Sequence, residues 1–227
     1  MLQAWHDLLF LHWPVDASKL RNLIPSSLEL DTFGGQAYLA VVPFRMSEIH
    51  PVGLPTVPGL SAFPELNVRT YVVRDGRPGV WFFSLDAANL IAVHVARRWF
   101  SLPYFHARMS CRADGGGIQY RSSRIHADAP AADFLAMYAP TGEAFEAEPG
   151  TLEYFLTARY CLYSESAGQL HRAEIDHAPW RLHTAEADIE LDTMADWLGF
   201  PSRGPAPLRH FSRTIDVEVW PLEPVSQ

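Results

Sequence analysis

A chain of 227 residues with 48% hydrophobic and 19% charged residues is long enough to bury a core and too apolar to be disordered. Its formal charge of −8 argues against the clustered basic surface that phosphate backbones require, so nucleic acid is excluded as a partner. The first twenty residues lack a basic leader, and Asp7, His12 and Pro14 break their apolar run, which speaks against a signal peptide or membrane span.

Cys111 and Cys161 stand far apart in a spacing that fits no metal or redox motif, and they read as reduced thiols of a cytoplasmic protein. In chain order, residues 8–13 read as a short buried strand stopped by Pro14, and Asp16 is placed to cap a brief helix reaching Ile24. Residues 28–31 and 37–46 flank a Phe-Gly-Gly turn and read as a β-hairpin. Prolines at 51, 55, 58 and 64 mark the next stretch as a loop, cast as a lid or rim over the strand face that begins at Glu65.

Residues 65–73 alternate. In an extended strand Glu65, Asn67, Arg69 and Tyr71 point to one side, and Leu66, Val68, Thr70 and Val72 to the other. Residues 80–85 are apolar on both faces, the pattern of a central strand. Asp86 stands where the N-cap of a helix over 87–100 belongs, and Pro103 ends that helix. Tyr104, His106 and Arg108 share a face of the next strand, which turns through a Gly-rich segment into a second hairpin. Residues 128–148 read as a surface connection with at most a turn of helix, and Thr151 as the start of a short amphipathic helix. A third hairpin turns at Ser166-Ala167-Gly168, residues 193–200 read as a last helix, and 211–220 as a last strand with Ile215, Val217 and Val219 inward. Many strands joined by tight turns, with a few short helices, make one α+β domain over residues 1–227, built on an antiparallel barrel or a pair of sheets.

The segments LFLHWPV, LELDTFGG, VVPFRM, PGLSAFPELNVRTYV, PGVWFFSLDA, LPYFHARM and LTARYCLY occur in an order that resembles the uncharacterised bacterial YqjF-like family. That resemblance implies the acetoacetate-decarboxylase-like fold: a mostly antiparallel β cone or barrel with an interior cavity and short flanking helices. The decarboxylases of that class use a lysine amine, activated by a neighbouring lysine, to form a Schiff base. The matching segment here is Ser101-Leu102-Pro103-Tyr104-Phe105, with a phenol and a phenyl ring at the two amine positions, and the only lysine is Lys19. The resemblance therefore implies the scaffold without the imine chemistry. It also sets Glu65 against a cavity-facing strand carboxylate of those enzymes.

Glu65, Asn67 and Arg69 can orient a carboxylate, carbonyl or amide ligand, with Arg69 as a forked donor; the alternative is a solvated or salt-bridged strand face. Glu65, Tyr104 and His106 are the candidate catalytic groups, able to supply a carboxyl, a phenol and an imidazole. Asn67, Arg69, Trp81, Phe83 and Asp86 are the candidate ligand-binding residues, although the position of Asp86 suits a cap of the following helix better than a ligand. No zinc-type or nucleotide-binding motif occurs, so neither a metal nor a cofactor is expected. Two functions are compatible with these residues: a binding protein for a small carboxylate, carbonyl or aromatic compound, or a lysine-independent lyase or hydrolase with Glu65 or His106 as base. A homodimer is the expected assembly.

Overall fold

The computed structural model describes residues 1–57, 59, 61–201 and 208–225. Long strands dominate it: β1 (Leu2–Val15), β3 (Ala37–His50), β4 (Phe63–Arg74), β5 (Arg77–Ala87) and β6 (Tyr104–Asp114), with the two-residue β2 (Glu29–Leu30) between β1 and β3. Then come β7 (Gly117–Arg124), β8 (Asp133–Phe145), β9 (Cys161–Ser166), β10 (Gln169–His177), β11 (Leu182–Asp192), β12 (Leu208–Val219) and β13 (Glu223–Pro224). Three short helices punctuate the chain: α1 (Ala17–Arg21), α2 (Leu90–Trp99) and α3 (Leu152–Thr157), capped by Asp16, Asn89 and Thr151.

The strands form a single sheet in the order β13-β10-β9-β5-β6-β7-β8-β11-β12-β1-β3-β4-β2, and the extra pairings β5–β4 and β10–β12 close it on itself. Two rings result. One runs from β5 through β6, β7, β8, β11, β12, β1, β3 and β4 back to β5; the other runs through β10, β9, β5, β4, β3, β1 and β12. Pairing is antiparallel except where β5 meets β6 and β9. The parallel β5–β6 step needs a crossover, which α2 supplies.

Strands β12, β1, β3, β4 and β5 are common to both rings, and β1, β3, β4 and β5 form a wall with buried side chains on both faces. Phe10, Val42, Phe44 and Tyr71 pack into one core, whereas Leu9, Leu11, Val41, Val68 and Val72 pack into the other. That second core is filled by Tyr120, Phe134, Tyr138 and Phe211. From it the Tyr120 hydroxyl donates to the backbone carbonyls of Phe44 (3.1 Å) and Glu65 (2.6 Å), pinning the wall from behind.

A bulge in β5 alters the wall locally. Val68 pairs with Ser84 but Arg69 with Phe82, which leaves Phe83 as the extra residue. Val80 and Phe82 therefore join Leu85 and Ala87 in the first core, while Phe83, with Trp81 packed beside it, faces the second.

Several sequence-based expectations change. β2 pairs with β4 rather than β3, so 28–46 is no hairpin, although Phe33 and Gln36 do bridge across the turn. Pro64 lies inside β4, and of the proposed lid Pro58 and Leu60 fall outside the described residues. Residues 133–145 form a full strand instead of a connection, and its Pro140 sits beyond the last pairing with β7, where no ladder donor is needed. The 182–192 strand has no counterpart among the expected elements, and within 193–200 only a 3-10 turn, Asp196–Leu198, is helical. Asp86 belongs to β5 and caps nothing; Asn89 accepts from the backbone N–H groups of Ile91 and Ala92.

Candidate functional site

The first core is not solid. It holds a partly open cavity of about 180 Å³ whose lining includes Glu65, Asn67, Arg69 and Tyr104. The strand pleat sends alternate residues of β4 to the same side, so the three polar groups form one row along the wall. They are nonetheless deeply buried, at 3%, 5% and 9% exposure. Their neighbours across the sheet are apolar: Phe44 and Ala87 beside Glu65, Val42 and Leu85 beside Asn67, Ala40 and Phe82 beside Arg69. No adjacent strand satisfies the row.

At one end the Tyr104 hydroxyl donates to Glu65 Oε2 at 2.9 Å. Burial pushes the Glu65 carboxyl up to about 8, helped by the charge of Asp86 and opposed by the Tyr104 hydrogen bond. Burial, followed by the neighbouring Glu65, holds the Tyr104 phenol well above its usual range. Near neutral pH this end is thus a protonated carboxyl beside a neutral phenol, able to donate to an oxygen.

At the other end Arg69 has no carboxylate partner among the described residues. Its guanidinium stands 5.8 Å from the centre of the Phe10 ring, and Nε finds no hydrogen-bond partner in the protein. Asn67 Oδ1, midway along the row, is likewise buried without a donor. Burial lowers the Arg69 pKa; Tyr71 opposes that shift and Arg159 adds to it. Arg159 also lines the cavity, but it is occupied: Nη1 donates to Asp31 at 2.6 Å, Nε to the Phe155 carbonyl at 2.7 Å, and the fork lies over Phe155. Beside Arg69, the fully buried His12 is held well below the imidazole range by burial, then by Arg69 and His210, with the Leu156 backbone opposing.

The remaining sequence candidates lie elsewhere. Trp81 and Phe83 do not line the cavity; they face a surface groove with Phe105 and Trp197, because the bulge gives the cavity Phe82 and Leu85 instead. Asp86 is taken up by a buried ion pair, its carboxylate gripped by Arg124 Nε (3.0 and 3.1 Å) and Nη2 (2.7 Å), with Arg124 stacked 4.3 Å over Phe105. His106 lies two residues past Tyr104 on β6 and is half-buried; it is absent from the cavity lining, and its backbone N–H donates to His126 Nδ1. The exposed Lys19, on α1, is not among the cavity residues either.

Most of the lining escaped the sequence reading, Trp5, Arg159, His177 and Trp180 among it. These four come from distant segments, and of them Arg159 alone had a visible signal, as the one charged residue of LTARYCLY.

Residues 2–216 match the sequence profile of DUF2071, described as an uncharacterized conserved protein. The chain belongs to this family. Within it, the chain is 47% identical over 222 residues to the uncharacterized protein YqjF of Bacillus subtilis strain 168, covering 98% of this chain and 91% of that one. Solved structures place this DUF2071 member in the acetoacetate-decarboxylase-like fold. The acetoacetate decarboxylase of Legionella pneumophila superposes with a TM-score of 0.67 at 12% identity, over 99% of this chain and 87% of that one. The enduracididine biosynthesis enzyme MppR, complexed with pyruvate, also gives 0.67 at 12% identity, over 99% and 90%. An acetoacetate decarboxylase-like enzyme from Sphingomonas wittichii RW1 gives 0.65 at 13% identity, over 99% and 92%. At these identities the likeness is one of fold. Among the described residues, no helix is long and apolar enough to cross a membrane.

Proposed function

We propose that this protein binds a small organic carboxylate in the cavity, with Arg69 as its counter-ion and without any Schiff base. One observation carries the reading. Three arginines are buried among the described residues, and two of them, Arg124 and Arg159, hold carboxylates of their own chain, whereas Arg69 lines the cavity and forms no ion pair with any described carboxylate, Glu65 at the far end of the row included. A guanidinium taken out of water without an anion is costly, and a ligand carboxylate compensates it through two parallel hydrogen bonds. Asn67 offers an acceptor to a ligand hydroxyl or N–H, and Glu65 with Tyr104 offers a donor to a carbonyl oxygen. The fold relative captured with pyruvate supports a carbonyl-bearing acid as the class. We read the chain as one cytoplasmic domain, in keeping with its two free thiols.

The test is a thermal-shift screen of small carboxylates, ketones and aromatics at pH 7. Carboxylates are expected to raise Tm in the native protein and to lose that effect in Arg69→Gln. A screen in which no carboxylate stabilises the protein, or in which the variant responds equally, removes the proposal.

A second reading rests on the elevated Glu65 carboxyl. A group titrating near 8 beside a phenol is suited to moving a proton to and from a carbonyl carbon or oxygen, with no lysine involved. Turnover of an oxo acid with a pH profile that disappears in Glu65→Gln supports this version; binding without turnover leaves the protein a carrier.

A further inference from the structure

The polar row is also a ruler. Glu65 and Arg69 are four residues apart on one extended strand, roughly 13 Å between Cα atoms at ~3.3 Å per residue. With the two side chains projecting side by side from the wall, so that their ends keep about the Cα spacing, one hydrogen bond of about 3 Å at each end leaves roughly 7 Å between the ligand's two polar ends. In a 2-oxo acid the carbonyl and carboxylate are adjacent, so it reaches one end of the row or the other. The walls between the ends are apolar and aromatic: Phe44, Phe82 and Leu85 beside the row, with Trp5 and Trp180 also lining the cavity.

We infer that the cavity selects an extended oxo acid, with its carboxylate at Arg69, its carbonyl oxygen at the Glu65–Tyr104 pair and an apolar body between. This rests on Arg69 being the counter-ion of a bound carboxylate and adds the length and the second functional group. Three features agree with it. The two ends differ in chemistry, a cation at one and a paired carboxyl and phenol at the other, so a dicarboxylate fits less well than an oxo acid. The middle of the row holds only Asn67, which leaves room for a carbon chain or ring edge carrying at most one donor, for Asn67 Oδ1. Tyr104 comes from β6, beyond the crossover helix, so the carbonyl end is assembled from separate segments and not from the strand alone.

The experiment is calorimetric titration of the native protein at pH 7 with the series CH3CO(CH2)nCO2−, n from 0 to 6, and with the straight-chain alkanoates of matching length. Affinity is expected to peak at about three to five methylenes, at least tenfold above n = 0. The oxo acid at the peak should bind about tenfold more tightly than its alkanoate, and that advantage should vanish in Glu65→Leu. Arg69→Gln should weaken both ligands. A flat chain-length profile, or equal affinity for oxo acid and alkanoate, overturns the ruler even where Arg69-dependent carboxylate binding persists. If no acid in either series binds, the ruler and the carboxylate reading fall together.

Discussion

Arg124 and Arg69 are two arginines of equal burial, each at 9% exposure, on strands of the same sheet. Arg124 is closed: Asp86 takes three of its hydrogen bonds, the Pro130 carbonyl a further one, and Phe105 covers its face. Arg69 has an aromatic neighbour, a cavity and no carboxylate. Depth alone therefore does not tell a charge paired within the chain from one left open. The distinction lies in whether the chain supplies the counter-charge itself.

The contrast is sharpest in stability. Asp86→Ala strands Arg124 without its partner and should cost about 3–5 kcal/mol in urea unfolding, while Asp86→Leu with Arg124→Met should recover most of that. If Asp86→Ala is nearly neutral, the pair is not what closes that region.

Next in size is a pH effect from the cavity end of the row. The Glu65 carboxyl is raised from 4.5 to about 8 by burial, so the folded protein keeps a proton that the unfolded chain gives up near 4.5. This contribution is therefore complete below about pH 4.5 and is lost as pH rises through 8. The stability of the native protein minus that of Glu65→Gln should fall between pH 5 and 8 and be flat above. Parallel curves would mean that water reaches Glu65 freely. His12 acts in the opposite direction. Held neutral by burial, it withdraws stability as pH falls below 6.5, so Glu65→Gln should still soften in acid.

A smaller effect is expected at Arg69. Replacing this uncompensated cation by Met should leave the unfolding free energy unchanged or raise it by about 1–2 kcal/mol while carboxylate binding is lost. A loss as large as that at Asp86 would show Arg69 to be a packing residue. The smallest effect separates the two faces of β5: Phe82→Ala should weaken ligand binding roughly tenfold, and Trp81→Ala should leave it unaltered. Equal responses would contradict the register at the bulge.

The alternation of β4 was legible because a strand's pleat is local: Glu65, Asn67 and Arg69 share a side whatever surrounds them. The register of β5 was not. Strict alternation groups Trp81 with Phe83 and Leu85, but the extra residue at Phe83 puts Leu85 in the cavity with Phe82 and turns Asp86 toward Arg124. A bulge is fixed by pairing with β4, which the β5 segment does not encode by itself. The 133–145 strand was hidden for a related reason: its Pro140 and Gly142 look like breakers until β7 is seen to end its pairing at Tyr138. Lining residues such as Trp5, His177 and Trp180 are united only by ring closure, a long-range event. The family motifs revealed the fold that local patterns left open between a barrel and paired sheets.

The closure of the sheet has one more effect. The strands that end its order, β2 and β13, contribute two residues each. Closure is partial, however: β11 meets β12 only over Leu182–Thr184 and β6 meets β5 only over Tyr104–His106, so residues 185–191 and 107–114 pair with a strand on one side only. A strand from another chain that added by backbone pairing would therefore meet its open edge in the middle of the sheet order, at β6 and β11, and not at the two ends.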